Sequence, residues 1–196
     1  MAIIVDKEAK RKAIALSCVE LLLDKGINKL TISQIAKTAG VGKGTIYEYF
    51  KNKDAIVFEI ITLFIEEHKE LLRSIGSSNK PTKEKVFDFF FLLHKDENQG
   101  HLKIYREFLA IALHSGTEDM VKFSMACRSG FIEILQQILQ DAIDRGEIKA
   151  EALGLVDAWM IFALGLAVET HTANLNPKEE LTQALDSWFT LIEEKR

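Results

Sequence analysis

An all-α fold is predicted for this chain of 196 residues. Apolar residues recur every three or four positions along most of the sequence, which is the helical period. Only two prolines occur, Pro81 and Pro177, and each stands at the start of such a stretch, where a helix tolerates proline. The strict alternation of apolar and polar residues that marks a half-buried strand is missing.

The elements follow in order. Residues 6–25 predict a first helix, with Ile14, Cys18, Leu21 and Leu22 as its apolar stripe and Gly26 to close it. Lys7, Lys10, Arg11 and Lys12 load its first turns with positive charge, against the helix dipole. That charge is expected to serve something outside the helix, and a DNA backbone is the natural candidate. Thr31 is placed to cap a second helix, in which Ile32, Ile35 and Ala36 keep helical spacing. Gly40, free to adopt a positive φ, stops it sharply. Lys43 to Phe50 is a third helix: Ile46 and Phe50 face inward, while Lys43, Thr45, Tyr47, Glu48 and Tyr49 face outward. A fourth follows Asn52 and runs to about Arg73, with Ile56, Ile60, Leu63 and Phe64 inside.

Ser74 to Pro81 is a loop by composition. Thr82 to Lys95 is a helix that is apolar nearly all round, and the polar turn Asp96 to Gly100 leads to another ending near His114. Thr117 to Arg145 shows the strongest period, through Met120, Ser124, Cys127, Phe131, Leu135, Ile138 and Ala142, and Gly146 closes it. Helices over Ala150–Thr172 and Pro177–Lys195 complete nine in all, three before residue 53 and six after.

Helix, glycine turn, and a short helix presenting hydrogen-bonding side chains is the helix-turn-helix arrangement, which puts its second helix in the DNA major groove. Charge agrees. Residues 1–54 hold ten Lys/Arg against six Asp/Glu, a net of +4, and the remainder hold 15 against 23, a net of −8, which sum to the −4 of the whole chain. A basic end on an acidic body orients the molecule toward phosphate.

Gly26, Thr31-Ile32, Ile35, Ala39-Gly40-Val41, Gly44-Thr45-Ile46-Tyr47, Tyr49-Phe50, Asn52-Lys53 and Ile56 stand in the order and spacing of one known signature. Through them the chain resembles the TetR family of transcriptional regulators over about residues 8–68, with the motif itself at about 32–51. The resemblance implies a nine-helix architecture. It divides into a DNA-binding core, residues 1–52, and a helical effector-binding and dimerisation domain, residues 53–196. It further implies a homodimer on double-stranded operator DNA, acting most often as a repressor and released by a small molecule.

Within the motif, Lys43 and Thr45 are expected to read bases, Lys43 by donating to a guanine and Thr45 by hydrogen bonding or by touching a thymine methyl. Tyr47, Tyr49, Lys53 and Thr31 are expected at the phosphates, and the resemblance makes Tyr47 and Lys53 the usual backbone contacts. Ser33, Gln34 and Gly44 complete the candidate DNA-binding set. For an effector pocket the candidates are Phe64, Phe87, Phe90, His94, Tyr105, Phe108, Ala112, Phe131, Trp159 and Phe162, since such sites are mostly apolar with a few polar groups. Ordinary core packing is the other reading of these aromatics.

The helix over 150–172 is apolar on more than one face between Leu153 and Val168, with Asp157 its only charge there. A second apolar stripe calls for a second partner, unless the helix lies at the centre of the monomer. Ala158, Ala163 and Ala167, with Leu185, Trp188 and Ile192 of the last helix, are the candidate dimer interface.

No glycine-rich phosphate loop, GxSxG, HExxH or clustered carboxylate pair is present, so no enzyme is expected. The five histidines lack metal-ligand spacing, and no metal or other cofactor is expected. Cys18 and Cys127 read as small buried hydrophobes. The N-terminal Met-Ala-Ile-Ile-Val is followed at once by charge, unlike a signal peptide. The run Trp159 to Val168 is too short to span a membrane, so no membrane partner and a cytoplasmic location are expected. A DNA-binding protein with a structural or division-type role and no effector shares every one of these features except the pocket.

Overall fold

The computed structural model describes residues 6–194, all of them helical or in short connections apart from one isolated β-bridge between Ile148 and Glu193. The first five residues and the expected helix end at Lys195 lie outside the described part. Ten α-helices are present among the described residues: α1 (Lys7–Ser17), α2 (Val19–Lys29), α3 (Ile32–Thr38), α4 (Lys43–Tyr49), α5 (Lys53–Gly76), α6 (Thr82–Phe91), α7 (Gln99–Ser115), α8 (Glu118–Asp144), α9 (Val156–Thr172) and α10 (Pro177–Ile192). Short 3-10 turns cover Leu92–His94, Asp96–Asn98 and Ala150–Leu155.

The count exceeds nine because the expected first helix breaks at Cys18, whose backbone sits at φ −101, ψ 1. Its amide bonds back to Ala15 and the Ser17 hydroxyl donates to the Ile14 carbonyl. That side chain competes with the backbone for the carbonyl the next turn would need. The helix expected to reach Lys95 stops at Phe91 and continues only as a 3-10 turn, and the one expected from Ala150 begins in the same tighter form.

Two compact units result. One comprises residues 1–65 with 103–117; its buried residues include Ile14 of α1, Cys18 at the break, Leu22 of α2, Ile35 and Ile46 of α3 and α4, Phe50, and Ile56 and Ile60 of α5. The other comprises residues 66–102 with 118–196, where α6 packs on α8 and α10, and α9 on α8 and α10. Its core joins Val86, Phe89 and Phe90 of α6, Leu135, Ile138 and Leu139 of α8, Val156, Trp159 and Leu166 of α9, and Leu181, Leu185 and Phe189 of α10. Helices α5 and α7 supply residues to both units.

The 23 residues Ala150–Thr172 have a most apolar window of mean hydropathy 1.7 and are, by length and composition alone, long and apolar enough to cross a bilayer. The run Trp159 to Val168 is lengthened on its N-terminal side alone, by Ala152 to Val156 and Ala158, while Glu169 follows at the other end; the core helix of a soluble protein passes the same measure. Part of that excess is core, through Val156, Trp159 and Leu166; the rest faces outward.

Candidate nucleic-acid interface

Helix α3 starts in a capping box. The Thr31 hydroxyl accepts from the Gln34 amide at 3.3 Å, and Gln34 Oε1 accepts from the Thr31 amide at 3.0 Å and from its hydroxyl at 2.9 Å. Two orphan amides of the first turn are thereby satisfied. The box also spends the Thr31 hydroxyl proton on Gln34, and a phosphate offers acceptors only. Within the box, Gln34 has its NH2 to present and Thr31 has no donor, so the expected Thr31–phosphate bond would require opening the cap. Ser33 is exposed beside them.

The helix ends on a left-handed glycine. Gly40 has φ 66, its amide bonds to the Lys37 carbonyl, and the Val41 amide reaches the Ala36 carbonyl at 3.0 Å. These are the two bonds of a Schellman end. The chain thus turns within four residues to start α4, whose Ile46 is wholly buried and whose C-cap Phe50 is 1% exposed. With that face down, Lys43, Gly44, Tyr47 and Glu48 are exposed, Tyr47 at 59%, while Thr45 and Tyr49 are half-buried. No atom lies within 4 Å of where side chains on Gly42 or Gly44 would begin, so the backbone at the start of α4 is open to approach.

Two basic residues of this region are engaged internally. Lys53 Nζ donates to the Ile27 carbonyl at 3.0 Å, leaving two of its three protons for any other acceptor. Arg11 donates through Nε to Glu59 Oε2 at 2.6 Å and through Nη1 to the Tyr49 carbonyl at 2.6 Å, and its guanidinium lies 4.4 Å from the centre of the Phe50 ring. Arg11, one of the cations expected to serve a partner outside the protein, is thus engaged within it, with its charge matched by Glu59. Lys7, Lys10 and Lys12 remain exposed on α1.

A second set of charges grips a kink inside α2, where Gly26 leaves helical geometry three residues before the element ends. Gly26, at φ 74 and ψ 169, is buried beneath Glu107 of α7, whose carboxylate accepts from the Asn28 amide at 3.3 Å. Lys103, one turn earlier on α7, donates to the Leu23 carbonyl at 3.0 Å. An ammonium meets the carbonyl end of the helical segment before the kink and a carboxylate meets the Asn28 amide after it, which is the complementary arrangement for helix termini. Sequence reasoning missed Lys103 and placed Glu107 only among the polar groups near the aromatics, not at this kink. The i, i+4 spacing of Lys103 and Glu107 was visible, but their partners lie some eighty positions away in the chain.

The proposed pocket residues divide between the units. Phe64, Tyr105, Phe108 and Ala112 belong to the first, where the Phe108 ring meets Phe58 edge-on. Phe87, Phe90, His94, Phe131, Trp159 and Phe162 belong to the second. There Trp159 stacks on Trp188 at 4.9 Å, with Phe90 and Phe162 edge-on to the two indoles. Trp188 thus packs with residues named for the pocket, although it was named for the dimer interface. Leu185, Ile192 and Ala167 are likewise buried within the chain itself, so their area is already used. The outward apolar stripe of α9 is instead Ala158, Ile161, Leu164, Gly165 and Val168, with Ile161 at 63% exposure and Ala163 half-buried beside it.

In the second unit, His101 Nδ1 lies 3.2 Å from His68 Nε2. Burial, followed by the neighbouring His101, holds the His68 imidazole below its usual range, and burial does the same for His101. Cys127 is half-buried, and desolvation pushes its thiol up to about 11 despite nearby Lys69. Among the described residues no group of three His, Cys, Asp or Glu is arranged to hold a metal.

Residues 18–60 match the family model of bacterial regulatory proteins of the tetR family. The fatty acid metabolism regulator protein of Bacillus subtilis is 31% identical over 147 residues, 73% of each chain. Among solved structures, a TetR transcription regulator from Haloarcula marismortui superposes with a TM-score of 0.78 at 15% identity, covering 95% of this chain and all of that one. SmeT in complex with triclosan gives 0.73 at 18% identity, covering 95% and 93%. The fold, the capped helix pair at the basic end and the extent of this kinship agree: the chain belongs to the TetR family of bacterial regulators and is a DNA-binding transcriptional regulator.

Proposed function

We propose that the protein is a homodimeric repressor that reads a palindromic operator with α4 and is released by a small apolar or amphipathic molecule. The observation that carries the reading is α4 itself. Its apolar face is fixed by Ile46 and Phe50, and Lys43, Gly44 and Tyr47 stand exposed at the basic end of the chain. Lys43 and Thr45 take the base edges, Tyr47 and the remaining protons of Lys53 take phosphates, and Ser33, Gln34 and Tyr49 border the contact. Two such helices must stand about 34 Å apart to meet successive major grooves. The apolar stripe of α9 through Ile161, Leu164 and Val168 supports the second copy that this requires.

The relative from Bacillus subtilis bears the name of a fatty acid metabolism regulator, and SmeT was solved with triclosan, a small apolar molecule. Both support an apolar effector received in the aromatic body. Such a ligand must bind the non-DNA-binding arrangement more tightly, and tenfold weaker DNA binding requires about 1.4 kcal/mol of that preference. Selection of bound duplexes from a random pool, repeated with oleate and with triclosan, tests the whole reading. A palindromic consensus whose recovery falls with one of the two compounds is the expected result. Recovery of no consensus overturns it.

A further inference from the structure

We propose that Arg11 is a positioning residue for DNA recognition: its guanidinium fixes the recognition helix and does not touch DNA. The inference rests on reading α4 as that helix. α4 has seven residues, too few to be stable alone, so its axis is set by what it packs against. Ile46 and Phe50 supply apolar burial on one side, but apolar contacts are non-directional and permit rotation and sliding.

Arg11 supplies direction. It reaches from α1 and makes three engagements at once: Nη1 to the carbonyl of Tyr49, Nε to the carboxylate of Glu59 on α5, and the guanidinium plane over the Phe50 ring. The Tyr49 carbonyl is one of the last in α4 and has no partner within a helix that ends there, so a cation at that end both satisfies it and complements the dipole. The planar fork is what allows two bonds and a stack from one side chain; an ammonium is a point charge and cannot make all three. Glu59 is the counterweight. Its side chain is 17% exposed against 35% for Arg11, and it accepts from Nε in the same guanidinium orientation in which Nη1 reaches Tyr49.

The sign at Glu59 separates positioning from simple attraction. If Arg11 were a phosphate contact restrained by Glu59, removing the carboxylate would free a cation and tighten binding to every duplex. A clamp predicts the reverse for the cognate duplex.

The test measures binding of Arg11→Met, Arg11→Lys, Glu59→Ala and Lys43→Ala by fluorescence anisotropy, on the duplex selected from a random pool and on a random duplex, over a range of salt. Arg11→Met is expected to weaken cognate binding about tenfold or more and random binding by less than about threefold, with the non-specific salt slope unchanged. Arg11→Lys should recover part of the loss, and Glu59→Ala should weaken cognate binding although it removes a negative charge. Equal losses on both duplexes with a salt slope smaller by about one unit, or tighter cognate binding by Glu59→Ala, overturns the proposal. Should Arg11→Met fail to fold, Glu59→Ala and Arg11→Lys decide. Lys43→Ala separates the two ideas: if it leaves cognate affinity intact, α4 is not the reader; if it weakens cognate binding while Glu59→Ala does not, the clamp alone fails.

Discussion

Replacing Gly26 by alanine tests how the turn before the helix-turn-helix is held. The backbone there lies at φ 74, ψ 169, a region essentially reserved for glycine, and an alanine pays about 1–3 kcal/mol to stay in it. Its Cβ would also stand 2.7 and 2.8 Å from the two carboxylate oxygens of Glu107. Glu107 is the end of a flexible side chain and can swing aside, but only by giving up the Asn28 amide. That bond is long and partly solvated, so its loss is set at about 1 kcal/mol, below the range for well-made bonds to charged partners. The sum is about 2–4 kcal/mol, a large share of the stability of a small domain. In a Glu107→Ala background only the backbone part should remain, leaving a coupling of about 1 kcal/mol in the double-mutant cycle. Urea unfolding followed by far-UV circular dichroism reads the loss. Both tryptophans, Trp159 and Trp188, sit in the other unit, so their fluorescence follows that unit separately and controls for global effects. A cost below about 0.5 kcal/mol would refute the backbone argument, and an equal cost with and without Glu107 would refute the clash.

Lys43→Ala should narrow discrimination between cognate and random duplexes by about 1–3 kcal/mol in competition titrations. Lys53→Ala should weaken binding to all duplexes and flatten the salt slope by about one unit, and it should also lower the melting temperature, since the Ile27 carbonyl loses its donor. Ile161→Glu with Val168→Glu, both on exposed positions, should yield folded monomers by sedimentation, whereas Trp188→Glu should unfold the second unit by breaking the indole stack. For the histidine pair, the folded protein holds both imidazoles below the ordinary 6.5, so between the folded values and 6.5 the unfolded chain binds more protons. Stability should therefore be fully present above 6.5 and decline as pH falls below it, and His101→Gln should shrink that decline in urea titrations at stepped pH.

The parts of this molecule that were legible from its sequence are those governed by neighbours in the chain. The Thr31 cap, the stop at Gly40 and the inward pair Ile46 and Phe50 are all decided within five residues, and each stands where periodicity placed it. The break at Cys18 escaped because the apolar stripe runs straight through it; the interruption comes from a hydroxyl and a carbonyl, which hydrophobic period does not register. Arg11 was read as a cation for DNA because a sequence shows charge but not the Glu59 that neutralises it 48 positions later. Ala167 was read as facing a second copy because a helix apolar on several sides does not say which side its own core takes, and Leu185 and Ile192 because the one apolar stripe of the last helix fits a partner copy as well as the chain's own core. Only the packing of α9 against α8 and α10 settles that, leaving Ile161 and Leu164 outside.

The unit that carries the helix-turn-helix is discontinuous, built from residues 1–65 and 103–117. Its second stretch supplies Lys103 to the Leu23 carbonyl, Glu107 to the Asn28 amide and the Phe108 ring to Phe58. A ribosome makes the two stretches far apart in time, and at about 5–20 residues per second the N-terminal part waits several seconds for its completing helix. During that interval Gly26 lacks the Glu107 side chain above it and Phe58 lacks its Phe108 contact, so the nascent head has its local caps but not these long-range ties. The same discontinuity bears on modular exchange. A head cut after residue 65 and grafted onto a foreign body leaves its α7 segment behind, and a working chimera must carry residues 103–117 across as well. Recombination within this architecture is therefore expected to inherit α1–α4, the first half of α5 and all of α7 beyond its first turn together, as one unit of descent in two pieces of sequence.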